Sequence, residues 1–326
     1  MSYPPSLIQV TPRDLSPYRA GTAGIDYVHT FDSGVAGPHL MINSLSKGNE
    51  ICGSEAVAAL LDDGVRPIRG RLTLSFANVE AYERLDVHDP APSKFLDVNF
   101  NRIWNDATID GPSTAREVER ARQMRPVGRD ADVLLDLLSD CFYRAPDPWN
   151  DPPLLAYIEK PATRRLGDRI GFPLHHVGCP ARAGGEHSGL LFEYGRFSDH
   201  DCAAAAFLAE CGPHFARRSV DNCLNVAARF LRALEMTDRD TAVRYGALVD
   251  EGEIALYTDM IAPTAETDAF RWAGEFRGHE TFARGELIAT DGARRIEAPW
   301  DDCVLITVAD RVRRGEGIGH LIRRIR

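Results

Sequence analysis

The chain has 326 residues, of which 44% are hydrophobic and 26% charged, the composition of an ordinary globular protein rather than a disordered or collagen-like one. At roughly 150 residues per domain it has room for about two domains or one large one, with a core that needs neither disulfides nor metal for stability. Acidic residues outnumber basic ones 48 to 38, a net charge of -10, which argues against nucleic acid or an anionic membrane as the main partner. No apolar run reaches the roughly 18 residues of a membrane helix, and the N-terminal segment lacks the basic and apolar regions of a secretory signal. Seven scattered cysteines read as reduced thiols, so a cytoplasmic protein is expected. Of the 38 basic residues, three are lysines (Lys47, Lys94 and Lys160) and the rest arginines, a ratio that nucleotide bias in a genome explains.

In chain order, the short apolar run at 39–46 ends in Lys47-Gly48-Asn49-Glu50. Apolar positions from Ile51 to Leu61 then fit one helix face, closed by Gly64, so the four polar residues fall in a strand-to-helix turn. A strand is expected at Arg71–Asn78, a loop over 95–104, and a helix at Ser113–Met124. The nearly all-apolar run Asp132–Ser139 reads as a buried parallel strand. A second such run, Ala203–Glu210, precedes a helix over Ala216–Leu234. This alternation predicts an α/β domain over residues 1–236 with a mostly parallel sheet. Near Thr237 the pattern changes to short strand-like pieces (TAVRYGALV, GEIALYTDM, GELIAT, DCVLITVA) separated by turns, which predicts a smaller β-rich domain over 237–326.

Ligands of open α/β sheets collect at the carboxyl ends of strands. Five polar groups fall at such ends: Lys47/Asn49/Glu50, Asn78, Asp97/Asn101/Arg102, Asp136/Ser139 and Glu210. Each alone has a plain structural explanation, Asn78 as a turn residue, Asp136 as a cap, Glu50 as a carboxylate favoured at a helix N-terminus. A stretch holding His175, His176, Cys179, His187, His200, Cys202, Cys211 and His214 is loosely ligand-like, without a tight CxxC or HxxxH pair. Phosphate-loop, nucleophile-elbow and dinucleotide motifs are absent. Cys52, near the start of the first helix, reads as a packing residue.

Seven segments carry a resemblance over nearly the whole chain: DYVHTFDSG (26–34), NSLSKGNEICG (43–53), FANVEAY (76–82), FLDVNFNRIW (95–104), LLDLLS (134–139), FLAECGPHF (207–215) and PWDDCVLI (299–306). Together they resemble the succinylglutamate desuccinylase/aspartoacylase family, zinc hydrolases with a carboxypeptidase-like fold. The resemblance implies a zinc held by a His-Gly-Asn-Glu turn and a second histidine in an Asp-Leu-His strand end. Here the glutamate is kept as Glu50, but Lys47 and Leu138 stand at the two histidine positions. A protonated ammonium and an aliphatic side chain offer no donor, and zinc sites take three or four. The resemblance further gives Glu210 as general acid/base, Asn101 and Arg102 as the grip on a substrate carboxylate, and Asn78 as a polar pocket position. Lys94 stands where the family has arginine and Asn99 where aspartate is usual; Tyr194 is a further candidate for the pocket.

Two of only three lysines therefore occupy functional positions of the motif. Lys47 either replaces part of the metal's charge beside Glu50 as a plain pocket salt bridge, or polarises a substrate carbonyl or acts as a nucleophile. The expectation is an aspartoacylase-like amidohydrolase homologue. It would act on an amide or ester of a small carboxylate-bearing molecule, with Lys47 and Glu210 in the pocket and no cofactor; zinc would need ligands recruited from the 175–214 stretch. The alternative is a catalytically silent homologue that binds a small acidic ligand or serves as a partner subunit.

Overall fold

The computed structural model describes residues 8–140, 152–180, 189–247, 252–309 and 312–326. The first half contains β1 (Val28–Asp32), β2 (His39–Ser44), α1 (Ile51–Asp62), β3 (Arg71–Phe76), α2 (Val79–Tyr82), α3 (Asp106–Ile109), α4 (Arg116–Asp130) and β4 (Val133–Asp140). Then come β5 (Leu154–Ile158), α5 (Pro161–Ile170), β6 (His175–Cys179), β7 (Ala205–Pro213), α6 (Arg217–Ala233) and α7 (Arg239–Arg244). The remainder is strand: β8 (Ala255–Ile261), β9 (Phe270–Trp272), β10 (Glu280–Phe282), β11 (Leu287–Asp291), β12 (Arg294–Glu297), β13 (Cys303–Ile306) and β14 (His320–Arg324).

An 11-stranded sheet in the order β1-β3-β2-β4-β7-β5-β6-β8-β14-β13-β10 forms the backbone of the molecule. Its centre, β3-β2-β4-β7, is parallel, as the fully apolar runs require. Alternation along the strands feeds two cores. Leu40, Ile42, Leu135, Leu137, Phe207 and Ala209 face α1 and α6, where Phe207 sits between Tyr157 and Phe230 at ring distances of 5.4 and 5.0 Å. Met41, Leu134, Leu138, Ala206 and Leu208 face α4 and the aromatic residues Phe100, Trp104 and Phe197.

The sheet does not stop at α6. β8 joins β6 in parallel, and β14, β13 and β10 follow antiparallel, while β12-β11-β9 form a separate three-stranded antiparallel sheet. The expected strand in TAVRYGALV is instead the end of a short helix, α7, to Arg244, followed by a turn over 245–247. The Asp238 carboxylate accepts the Thr241 amide at 2.7 Å and caps the helix, a local bond that outweighs the weak strand propensity of the residues. Among the described residues no helix is long and apolar enough to cross a membrane.

The central strands carry the core, so a cavity there is costly. Leu135, with no exposed surface, changed to alanine is expected to lower the unfolding free energy by about 3 kcal/mol, read as a fall in the urea midpoint at unchanged slope.

Candidate active site at the strand ends

Strand β2 ends in an abrupt reversal. Leu45 is buried, yet its backbone is left-handed at φ 57°, a conformation that costs a non-glycine residue about 1–2 kcal/mol. The strain is held by neighbours on each side: the amides of Ala77 and Asn78 bond the carbonyls of Ser44 and Leu45, and the Gly48 amide bonds the Lys94 carbonyl at 3.1 Å. Gly48 has no room for a side chain, since a Cβ would lie 2.5 Å from Ala81, Tyr82 and Ser93 backbone atoms. The crowding seats the turn between α2 and residues 93–94, which brings Lys94 beside Lys47.

The turn presents an ion pair. Lys47 Nζ donates to Glu50 Oε1 at 2.6 Å, with the lysine 26% exposed and the glutamate fully buried. Burial pushes the Glu50 carboxyl upward, and the positive charges of Lys47 and then Lys94 oppose that rise. Among the described residues Glu50 Oε2 has no hydrogen-bond partner, nor do Asn49 Oδ1 and both side-chain polar atoms of Asn101. Buried polar atoms are seldom left so, and these four cluster on the turn and the loop that approaches it.

Beneath the turn runs a polar row across three strands. Ser75 Oγ donates to Asn43 Oδ1 at 2.8 Å, Asn43 Nδ2 donates to Asp136 Oδ1 at 2.8 Å, and Ser46 Oγ donates to the same carboxyl at 2.9 and 3.0 Å. Burial raises Asp136 to about 7; the bonds from Asn43 and Ser46 oppose this and the nearby Glu50 charge adds to it. On the side of the turn nearer α6, His214 is buried, with Nδ1 2.8 Å from Ser139 Oγ and Nε2 3.1 Å from Asn49 Nδ2. Burial, then Lys47 and Lys94, hold its pKa well below the ordinary value. The chain Ser139–His214–Asn49 has the connectivity of a nucleophile and base, but an imidazole so depressed is a feeble base.

The remaining candidates separate. Glu210 lies in register between Leu138 on β4 and Leu154 on β5, on the same face as Asp136. Leu138 itself is 2% exposed and packed into the second core. Asn78 turns toward Glu117, donating to Oε1 at 3.2 Å. The Glu117 carboxylate also accepts the amides of Leu96, Asp97 and Val98 at 2.6, 3.1 and 3.1 Å, and so shapes the loop that leads from Lys94 to Asn101. Arg102 is exposed, donates to the Asn101 carbonyl at 2.6 Å, and lies close enough to His320 to add to the burial that lowers that histidine to about 4. Tyr194 donates to Asp106 at 2.6 Å and packs on Trp104. Lys160 is buried and donates to the carbonyls of Arg196, Asp199 and Cys202, a structural cap with no link to the turn.

The ligand-like histidines and cysteines do not converge. His175 meets Tyr257 and His279, His200 is exposed beside Asp201, Cys202 faces the Ala204 amide, and Cys211 is in the first core; His187 lies outside the described residues. Among the described residues no group of three His, Cys, Asp or Glu is placed to hold a metal ion. Glu117 belongs to no motif, and Asn43 and Ser46, which fall inside the segment 43–53, have no role assigned to them from the sequence; all three build the site's frame.

Together these features define a class, an α/β protein with a cluster of buried polar groups at the carboxyl ends of a central parallel sheet, where such folds place their ligands. The fold is that of the succinylglutamate desuccinylase/aspartoacylase family. Succinylglutamate desuccinylase from Vibrio cholerae superposes with a TM-score of 0.65 at 18% identity, covering 92% of this chain and 86% of that one. The Vibrio parahaemolyticus enzyme gives 0.62 at 16% identity, covering 92% and 87%. The product-bound ectoine utilization protein EutE (DoeB) from Ruegeria pomeroyi gives 0.62 at 14%, covering 91% and 88%. No family model matches the chain, and no curated protein matches it.

A pH dependence follows from Asp136. Its folded carboxyl is raised above the unfolded value, so the stability tied to its proton is full below about pH 4 and lost as pH climbs to about 7. Across that window the urea midpoint of Asp136→Asn should rise relative to wild type, then run level above it.

Proposed function

We propose that the protein is an aspartoacylase-like amidohydrolase homologue. It acts on an amide or ester of a small carboxylate-bearing molecule, without zinc and with an ammonium in the metal's place. The observation that carries this reading is the 2.6 Å contact of Lys47 with the fully buried Glu50. Glu50, the one metal-ligand position kept, is engaged by the Lys47 ammonium, and Leu138 at the second histidine position has no donor atom. The residues present do not make the three- or four-donor set that zinc requires.

Within this reading Lys47 polarises the substrate carbonyl as a fixed positive charge. Glu210 moves the proton between attacking water and leaving group. Lys94 and Asn101 face the carboxylate, Arg102 stands at the rim, and Asn78 and Glu117 hold the clamp loop in shape. Tyr194 belongs to the scaffold under that loop through Asp106. Support for a polar ligand comes from the buried atoms of Glu50, Asn49 and Asn101 that lack partners among the described residues. One observation favours the second reading, a silent binding protein: Leu138 fills space in a packed core, where the family implies a catalytic ligand.

A panel of N-acyl and N-succinyl amino acids, assayed with and without chelator on protein purified without a metal-affinity tag, tests the proposal. Turnover indifferent to chelator and lost in Lys47→Met, by a hundredfold or more on the scale of about 10²–10³ for one electrostatic donor, is the expected result. One tightly held zinc per chain with chelator-sensitive turnover would sink it. Saturable carboxylate binding without turnover would leave the binding protein as the better description.

A further inference from the structure

In the metal-holding arrangement that the resemblance implies, the ion joins two elements: the turn after β2 and the end of β4. Here the same two elements are joined by side chains alone. Asn49 belongs to the turn, Ser139 to the end of β4, and His214, from the end of β7, bonds both, at 3.1 and 2.8 Å. All three side chains are buried. The His214 ring also meets Phe215 edge-on at 5.9 Å, which limits its rotation.

The bonding couples the ring proton to the Asn49 amide. With the Asn49 amide donating to Nε2, the ring proton sits on Nδ1 and is donated to Ser139 Oγ; turning the amide over reverses both bonds. Either arrangement suits a neutral imidazole. Burial, then the two ammonium groups, disfavour a second proton, and the two bonds hold the ring in place in either arrangement. The crevice needs such a brace. The turn holds a strained Leu45 and a buried ion pair, and its free energy is lowered only while neighbouring elements stay in place.

We propose that His214 is a positioning residue, a hydrogen-bonded strut from the end of β7 that replaces the family's metal as the cross-link between the Lys47–Glu50 turn and β4. The proposal rests on the metal-free reading above. His214 makes no contact with substrate in this role; it is buried because it bonds the turn and β4 at once.

The test follows the Lys47 ammonium by ¹H–¹⁵N NMR on the full chain, where a hydrogen-bonded, sheltered ammonium exchanges its protons slowly enough to be seen. Wild type shows this signal, assigned by its loss in Lys47→Met. His214→Ala loses it and melts at lower temperature; His214→Gln, which can bond in both directions, restores much of both. If His214→Ala does not fold, Ser139→Ala frees one end of the strut and is expected to weaken the signal. A folded His214→Ala, or Ser139→Ala in its place, with an undiminished Lys47 signal overturns the strut. The metal-free reading is checked separately by the wild-type melting temperature, which should not move with EDTA or added zinc. A shift there overturns that reading and leaves the NMR comparison to judge His214 on its own.

Discussion

Glu50 is buried without any exposed surface at the head of a helix, at the mouth of a parallel sheet. A carboxylate in that position must be compensated by a positive charge or carry a proton. Much of the architecture around it answers this demand. Lys47 supplies the charge three residues away. The glycine between them lets the turn press against α2, and that contact draws in Lys94 as a second cation. Burial, and then the two ammonium groups, disfavour the charged form of His214, and its ring serves as a hydrogen-bonding bridge.

The same demand shapes the sheet below. Asp136 could have added a second uncompensated carboxylate within reach of Glu50. Instead burial and the Glu50 charge keep its proton on to near neutrality, and Asn43, Ser46 and Ser75 absorb its polarity in a row of short bonds. A polar row inside an apolar sheet also fixes strand register, since a slip of one residue would bury each partner alone.

The elements that hold the site were legible because their signals are local. Apolar runs marked β2, β4 and β7, the periodicity of 51–61 marked α1, and Gly64 marked its end. These placed the Lys47–Glu50 turn correctly at a strand-to-helix junction. The frame around the turn was not legible, because it is built from single bonds between distant residues. His214 reaches Asn49 across 165 positions and Ser139 across 75, and Glu117 organises a loop about 20 residues earlier. Such residues carry no spacing rule. His214 looked like one more member of a histidine- and cysteine-rich stretch, and Glu117 like an ordinary acid on a charged helix. Part of the strand expected at 241–249 is helix, to Arg244, for a similar reason: one capping carboxylate, Asp238, decided the local structure there.

The continuity of the large sheet has a consequence for the molecule's solution behaviour. β6 carries β8 along its outer side, and β14, β13 and β10 extend the same ladder. A chain cut after α6 would keep the turn, the polar row and the strut, yet it would present β6 as a bare edge with an open row of amides and carbonyls beside buried Val177 and Cys179. Such an edge invites pairing between molecules. The C-terminal strands thus act as a selvedge for the sheet, covering the β6 edge of the site-bearing half even where they contribute nothing to its chemistry.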